Sequence, residues 1–278
     1  MLTKSELKNL FLKHDFHPSK RLGQNYLIDG NIKDKIIEAA GIKRGDAVLE
    51  IGPGLGALTA DLAAVCASLH AVEKDTRAFR ILKEELLAGF PDVKLYNEDI
   101  LKFDLKKITP GKNLKIIGNL PYYITSPIIE YFIKNKRYIN SIVITIQREV
   151  ANRLMASPGT KDYGSLSCFV RYHMRASYIY TIRRTSFFPE PEVDSSIIRL
   201  DVLPAPSVKV EDEEKLFKII RGSFNQRRKT ILNSLSRAAV LNMSKENLTS
   251  ILTTAGVDPL IRPESLSLTD FARISNAV

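Results

Sequence analysis

Tryptophan is absent from these 278 residues, and cysteine, histidine and methionine are scarce, at two, four and four. Cys66 and Cys168 form no CxxC pair, which excludes a zinc ribbon, a dithiol redox motif and a disulfide framework. Both read as buried packing residues of a reducing compartment. His14, His17, His70 and His173 lie at no zinc-binding spacing, so no metal is expected. At the amino terminus Lys4, Glu6 and Lys8 alternate with apolar residues, the pattern of neither a signal peptide nor a membrane span. A cytoplasmic protein without membrane contact is the expectation. Internal repeats and low-complexity tracts are lacking too.

Positive charge is what the chain has in excess. Lys and Arg number 41 against 31 Asp and Glu, a formal net charge of +10. Such a balance suits a polyanionic partner, and much of it is clustered. Lys13, Lys20 and Arg21 form one group, Lys134, Lys136 and Arg137 a second, and Arg227, Arg228 and Lys229 a third. Each alone reads as a solvated face; three flanking one crevice are more persuasive.

The length suits one large domain with a smaller companion. Through about residue 205, strand-like and helical runs alternate as a parallel sheet demands. The strands predicted are Ala47–Ile51, Ser68–Val72, Val93–Asn97, Leu114–Gly118 and Ser141–Gln147, with Tyr178–Arg183 and Ser196–Val202 as a terminal antiparallel pair. Leu203-Pro204-Ala205-Pro206-Ser207 then breaks the pattern. Beyond it Glu211–Arg221, Gln226–Ala239 and Lys245–Ala255 read as helices. The predicted division is therefore 1–205, with residues 1–45 as an amino-terminal arm and helix, and 206–278 as a small α-helical domain. Phe224 to Arg228 fits either a helix-borne phosphate contact or a basic surface turn.

Chemistry concentrates at strand ends. Ile51 runs into Gly52-Pro53-Gly54-Leu55-Gly56 and a helix over Ala57–Ala67, a glycine turn that lets backbone approach a ligand closely. Glu73 ends the next strand, 73 − 52 = 21 residues on, near the interval of about 20 at which a carboxylate takes ribose hydroxyls. This much fits a dinucleotide as well as S-adenosylmethionine. Glu50 tilts the balance, because an acid suits the cationic amino-acid end of S-adenosylmethionine better than a pyrophosphate. Asp99 ends a third strand, where an adenine amino group could be bound, with Ile100 as a packing surface.

The fourth strand end carries Asn119-Leu120-Pro121-Tyr122. An exocyclic adenine nitrogen must be drawn toward tetrahedral geometry before it can accept a methyl group, which calls for acceptors on both its hydrogens. Asn119 offers a side-chain carbonyl. Leu120 offers a main-chain carbonyl, kept out of helical conformation by Pro121. Tyr122 offers a flat face for a base turned out of its stack.

RLGQNYL (Arg21–Leu27), EIGPGLG (Glu50–Gly56), VEKD (Val72–Asp75), NEDIL (Asn97–Leu101), NLPYYI (Asn119–Ile124) and FFPEPEVDSS (Phe187–Ser196) follow one another in order. Together they resemble the ribosomal RNA adenine N6,N6-dimethyltransferases. SFNQRRKTILNSL (Ser223–Leu235) and RPESLSLTDF (Arg262–Phe271) resemble the small-subunit branch, so the likeness covers nearly the whole chain. It implies a Rossmann-like class I methyltransferase sheet using S-adenosylmethionine, and a carboxyl-terminal helical domain that recognises rRNA. The implied substrate is two adjacent adenosines in the 3′-terminal hairpin loop of 16S rRNA within a pre-ribosomal particle. A role in small-subunit biogenesis and a monomeric state are implied with it.

Asn25 and Leu27 match residues that close over the methionine part of the donor. Gly52 matches one lying against it, Glu73 one on its ribose, and Asp99 one on its adenine. Asn119 matches the residue touching donor and acceptor, and Phe187 a second aromatic opposite Tyr122. Tyr26 stands where phenylalanine is common. Three rivals remain in view: a non-catalytic assembly factor, a dehydrogenase lacking any proton relay here, and a large-subunit adenine methylase, from which only the carboxyl-terminal strings separate the chain.

Overall fold

A capping box starts the first helix, α1 (Lys4–Lys13): Thr3 Oγ1 accepts from the Glu6 N–H, and the Glu6 carboxylate accepts from the Thr3 N–H at 2.7 Å. The computed structural model describes residues 1–109, 114–226, 228–238 and 241–278. These form two units, Met1–Ala151 with Ser177–Val202, and Asn152–Ala176 with Leu203–Val278.

In the first unit a short strand, β1 (Tyr26–Leu27), leads to α2 (Gly30–Ala40), which Asp29 caps and Gly41 ends in left-handed conformation at φ 55°. Ile32, Ile36 and Ala40 recur at helical spacing and are the buried stripe of α2. Then follow β2 (Ala47–Ile51), α3 (Thr59–Val65), β3 (Ser68–Val72), α4 (Thr76–Ile81), β4 (Lys94–Tyr96), β5 (Leu114–Asn119), α5 (Thr125–Lys134) and β6 (Ile139–Gln147). After α6 (Arg148–Met155) and α7 (Ser165–His173) come β7 (Met174–Ile182), β8 (Phe187–Phe188) and β9 (Ser195–Val202).

Seven strands make one sheet in the order β4-β3-β2-β5-β6-β9-β7. From β4 to β6 the pairing is parallel, and β9 runs antiparallel to β6. Val48, Leu49, Ile51, Ile116 and Ile117 are buried, as a central parallel strand with both faces covered requires. The chain leaves β2 through β3 and β4 on one side and returns on the other as β5. That reversal opens a crevice at the carboxyl ends of β2 and β5. Gly118 keeps the two strands close there, since a Cβ on it would lie 2.9 Å from the Ile51 carbonyl oxygen. Separately, β1 and β8 pair as Tyr26 with Phe188 and Leu27 with Phe187.

Strand bounds agree with expectation to within a few residues, but α3 begins at Thr59 rather than Ala57. Gly52, Gly54 and Gly56 are all left-handed, at φ 62°, 57° and 77°, so the loop uses two further residues before a helical turn can close.

The second unit is helical: α7, α8 (Glu213–Phe224), α9 (Ile231–Ala238), α10 (Lys245–Thr254) and α11 (Leu268–Asn276). Its core joins Tyr163, Cys168 and Tyr172 to Leu216, Ile219, Ile220, Ile231, Leu252, Phe271 and Ile274. The predicted cut at 205 therefore misassigns residues 152–176, whose apolar side chains pack among the carboxyl-terminal helices. Cys168 is buried as expected and donates to Tyr163 Oη at 3.1 Å, whereas Cys66 is only half-buried. Asn225, Gln226 and Arg228 lie in a turn between α8 and α9; Arg227 lies outside the described residues. Among the described residues no helix is long and apolar enough to cross a membrane, and no group of three His, Cys, Asp or Glu could hold a metal.

Candidate active site

Four strand ends meet at the crevice in the first unit, bringing together Ile51 to Gly54, Val72 to Asp75, Glu98 to Ile100 and Asn119 to Ile124. Leu22 to Leu27 line its remaining side. Asn25, Leu27, Gly52, Glu73, Asp99, Asn119, Leu120 and Tyr122 are thus assembled in one place. Phe187 is not among the lining residues.

Glu73 is buried, and its carboxylate is held at both oxygens. Oε2 accepts from the Gly54 N–H at 2.9 Å and Oε1 from the Asp75 N–H at 2.8 Å. A carboxylate has about four acceptor sites, so beyond its backbone donors Glu73 keeps acceptor capacity suited to a hydroxyl. Burial raises the Glu73 pKa, against the backbone donors that lower it. Its main-chain carbonyl accepts from Asn97 Nδ2 at 2.9 Å, which ties β4 to β3.

Asp99 faces Lys74, with Nζ 2.8 Å from Oδ2, and its Oδ1 accepts from the Leu101 N–H at 3.0 Å. Burial pushes this carboxyl up, but the Lys74 ammonium and the Leu101 N–H more than offset it and hold it below the usual carboxylate range. Asp99 therefore stays an acceptor at neutral pH, and Lys74 is a cation at the crevice that sequence reading missed.

Asn119 ends β5. Its Nδ2 donates to the Asn25 main-chain carbonyl at 3.0 Å, which leaves Oδ1 as the end available to a ligand. The Leu120 N–H donates to the Thr145 carbonyl at 3.0 Å, which fixes the residue against β6, and Pro121 follows at φ −59° and ψ 133°. No loop or turn N–H among the described residues takes the Leu120 carbonyl. Tyr122 is anchored through its hydroxyl, 2.6 Å from Ser195 Oγ on β9. Burial raises its pKa, with the serine bond opposing. Ser195 is the residue that fixes the ring, and the sequence signal for it was its place in the FFPEPEVDSS string.

Phe187 is 3% exposed and packs in the apolar cluster of Leu27, Ile32 and Ile197. In this conformation its ring has no face open to a base. Glu50 also departs from expectation: it is 2% exposed and does not line the crevice, because alternation along β2 turns it away from Ile51. Burial pushes its carboxyl up to about 8, and Oε2 has no hydrogen-bond partner. The Tyr26 hydroxyl, absent from a phenylalanine, is likewise buried without a partner.

Of the basic clusters, Lys13 is bound to Glu85 at 2.7 Å and the Arg137 guanidinium lies over the Tyr138 ring at 4.6 Å. Lys20, Arg21, Arg228 and Lys229 are exposed.

Two solved structures share this architecture over nearly the whole chain. The dimethyladenosine transferase from Plasmodium falciparum superposes with a TM-score of 0.74 at 28% identity, covering 90% of this chain and 95% of that one. The 23S rRNA methyltransferase ErmE gives 0.69 at 26%, covering 91% and 99%. The fold is that of the class I methyltransferases. Ribosomal RNA small subunit methyltransferase A of Alkaliphilus oremlandii (strain OhILAs) is 43% identical over 97% of this chain and 94% of its own. The protein of the same name from Bacillus mycoides (strain KBAB4) is 43% identical over 99% and 96%. The ribosomal RNA adenine dimethylase profile matches residues 15–278, and the chain belongs to that family.

Proposed function

We propose that this enzyme transfers methyl groups from S-adenosylmethionine to N6 of two adjacent adenosines in the 3′-terminal hairpin loop of 16S rRNA, methylating each twice. The observation that carries the reading is the Asn119 side chain, whose Nδ2 is engaged by Asn25 so that its acceptor end faces the crevice. A base amino group there would donate to Asn119 Oδ1 and to the Leu120 carbonyl while its ring lies on Tyr122. Those two acceptors favour the pyramidal nitrogen of the transition state over the planar ground state.

The donor set suits S-adenosylmethionine. Glu73 offers acceptor capacity at a ribose position, Asp99 is an ionised acceptor for an adenine amino group, and Gly52 leaves room for close approach, with nothing within 4 Å of where a Cβ would stand. When bound, the donor supplies a methyl group on a cationic sulfur with a neutral leaving group, so alignment carries much of the acceleration and no strong base is required. Water is kept from the nitrogen by Leu120 and the Leu22 to Leu27 segment. The N6 proton can leave after transfer.

The second unit, with residues 206–278 as its larger part, is the rRNA-recognition element in this reading. The substrate is the rRNA of a pre-ribosomal particle, the protein acts as a cytoplasmic monomer, and methylation accompanies small-subunit biogenesis. Phe187 serves as the second aromatic only if β8 shifts.

Asn119→Ala tests the reading. Calorimetry with S-adenosylhomocysteine should give donor-site affinity within a few-fold of wild type, while methyl transfer to undermethylated small subunits falls by roughly 100-fold or more. Near-normal turnover would remove Asn119 from the mechanism.

A further inference from the structure

We propose that Gln24 is a positioning residue whose side-chain amide couples the ribose-site carboxylate to the setting of Asn119. Its two ends make different bonds. Oε1 accepts from the Ser19 N–H at 2.7 Å, closing the Ser19–Gln24 turn on itself. Nε2 donates to Asp75 Oδ2 at 2.7 Å.

Asp75 is buried and fully committed. Its Oδ1 accepts from the Arg77 N–H at 2.9 Å, capping α4, and its own N–H donates to Glu73 Oε1 at 2.8 Å. Glu73 Oε2 holds Gly54 at 2.9 Å. A continuous hydrogen-bonded path therefore runs from the Ser19 turn through Gln24 and Asp75 to Glu73 and the glycine loop. The residue after Gln24 carries the carbonyl that accepts from Asn119 Nδ2 at 3.0 Å.

The consequence lies in the asymmetry of an amide. With Nδ2 held by the Asn25 carbonyl, Asn119 presents Oδ1, which can accept from an amino group. If that carbonyl moves, the amide is free to turn and present N–H donors, which repel the hydrogens of the same amino group. Gln24, itself at the edge of the crevice, thus selects the productive end of Asn119 through the main chain of the next residue. A donor ribose drawing on Glu73 would act on the same path from its other end. Gly23, left-handed at φ 60°, lets the segment lie close, since a Cβ there would be 3.3 Å from Pro121 Cβ.

This inference rests on the proposed function, and its test separates the two. Gln24→Glu keeps the acceptor for Ser19 but sets a carboxylate against Asp75, with Glu73, the Tyr26 phenol and the Arg77 guanidinium as the other ionisable neighbours. Protonating the introduced carboxyl restores an O–H donor to Asp75. At saturating donor and rRNA substrate, the variant should turn over at least about tenfold slower than wild type near pH 8, and the ratio should recover by about tenfold toward pH 5.5. Gln24→Leu should show the loss without the recovery. Hydrogen exchange of residues 19–25 should slow on adding S-adenosylhomocysteine to wild type and respond much less in Gln24→Leu.

A pH-independent ratio for Gln24→Glu, or turnover within about twofold of wild type for both variants, overturns the positioning role while leaving the donor site intact. Failure of wild type to bind S-adenosylhomocysteine overturns the reading of the crevice itself, and the role of Gln24 with it.

Discussion

At the scale of single residues, the least comfortable group is Glu50, a carboxyl 2% exposed with an oxygen that nothing bonds. Its folded pKa of about 8 stands above the ordinary 4.5, so the folded state prefers the protonated form. The cost of ionising it is absent below the unfolded value, grows as pH rises from 4.5, and is complete above about 8. Glu50→Gln removes that dependence. Denaturant unfolding at low and high pH should show the variant gaining on wild type by about 3 to 5 kcal/mol across the window. A gap that does not change with pH would refute the burial argument. The position also marks a limit of sequence reading. An acid before a glycine loop suggests a ligand contact, but which face of a strand it occupies is set by register, and Ile51 rather than Glu50 turned out to face the crevice. The same holds for Phe187, legible as an aromatic in a motif and hidden by its pairing with Leu27.

At the scale of elements, β5 carries the acceptor chemistry at its tip and a packing constraint one residue earlier. A Cβ on Gly118 would meet the Ile51 carbonyl at 2.9 Å and Leu120 Cδ2 at 3.1 Å. The carbonyl is backbone in the neighbouring strand and cannot swing away. Gly118→Ala should therefore lower stability by about 1 to 3 kcal/mol and slow methyl transfer by prying β5 from β2 where Asn119 is aimed. Thermal unfolding beside an activity assay checks both, and a variant as stable and active as wild type would show that the strands part at no cost. Strands β2 and β3 were readable to the residue because buried parallel strands are continuous apolar runs bounded by glycine and acid. Helix α11 was not read, although Ser267 and Asp270 form a capping box ahead of Phe271 and Ile274. Its short, mixed stripe acquires meaning only beside the helices it packs on.

At the scale of the whole molecule, the +10 charge is the property to be tested. Arg228 and Lys229 are exposed, and Arg227 precedes them in the sequence. Replacing all three by alanine should flatten the salt dependence of small-subunit binding by a slope of about 2 to 3, since each phosphate neutralised releases close to one counterion. S-adenosylhomocysteine affinity should stay at the wild-type value. Equal slopes would make these cations a solvated face and move substrate selection to Lys20 and Arg21. The Pro204 and Pro206 break in the sequence falls where the chain re-enters the second unit at Leu203. That residues 152–176 join the second unit was not legible, because a contiguous cut cannot represent a chain that leaves a unit and comes back.

The lack of tryptophan has an optical consequence once Tyr123 is located, 52% exposed and lining the crevice beside the anchored Tyr122. Tyr123→Trp would give the protein a single indole fluorophore with no background emission of its kind. Its brightness and wavelength would respond to what enters the crevice, so in the proposed reaction base arrival could be timed separately from methyl transfer in a stopped-flow trace.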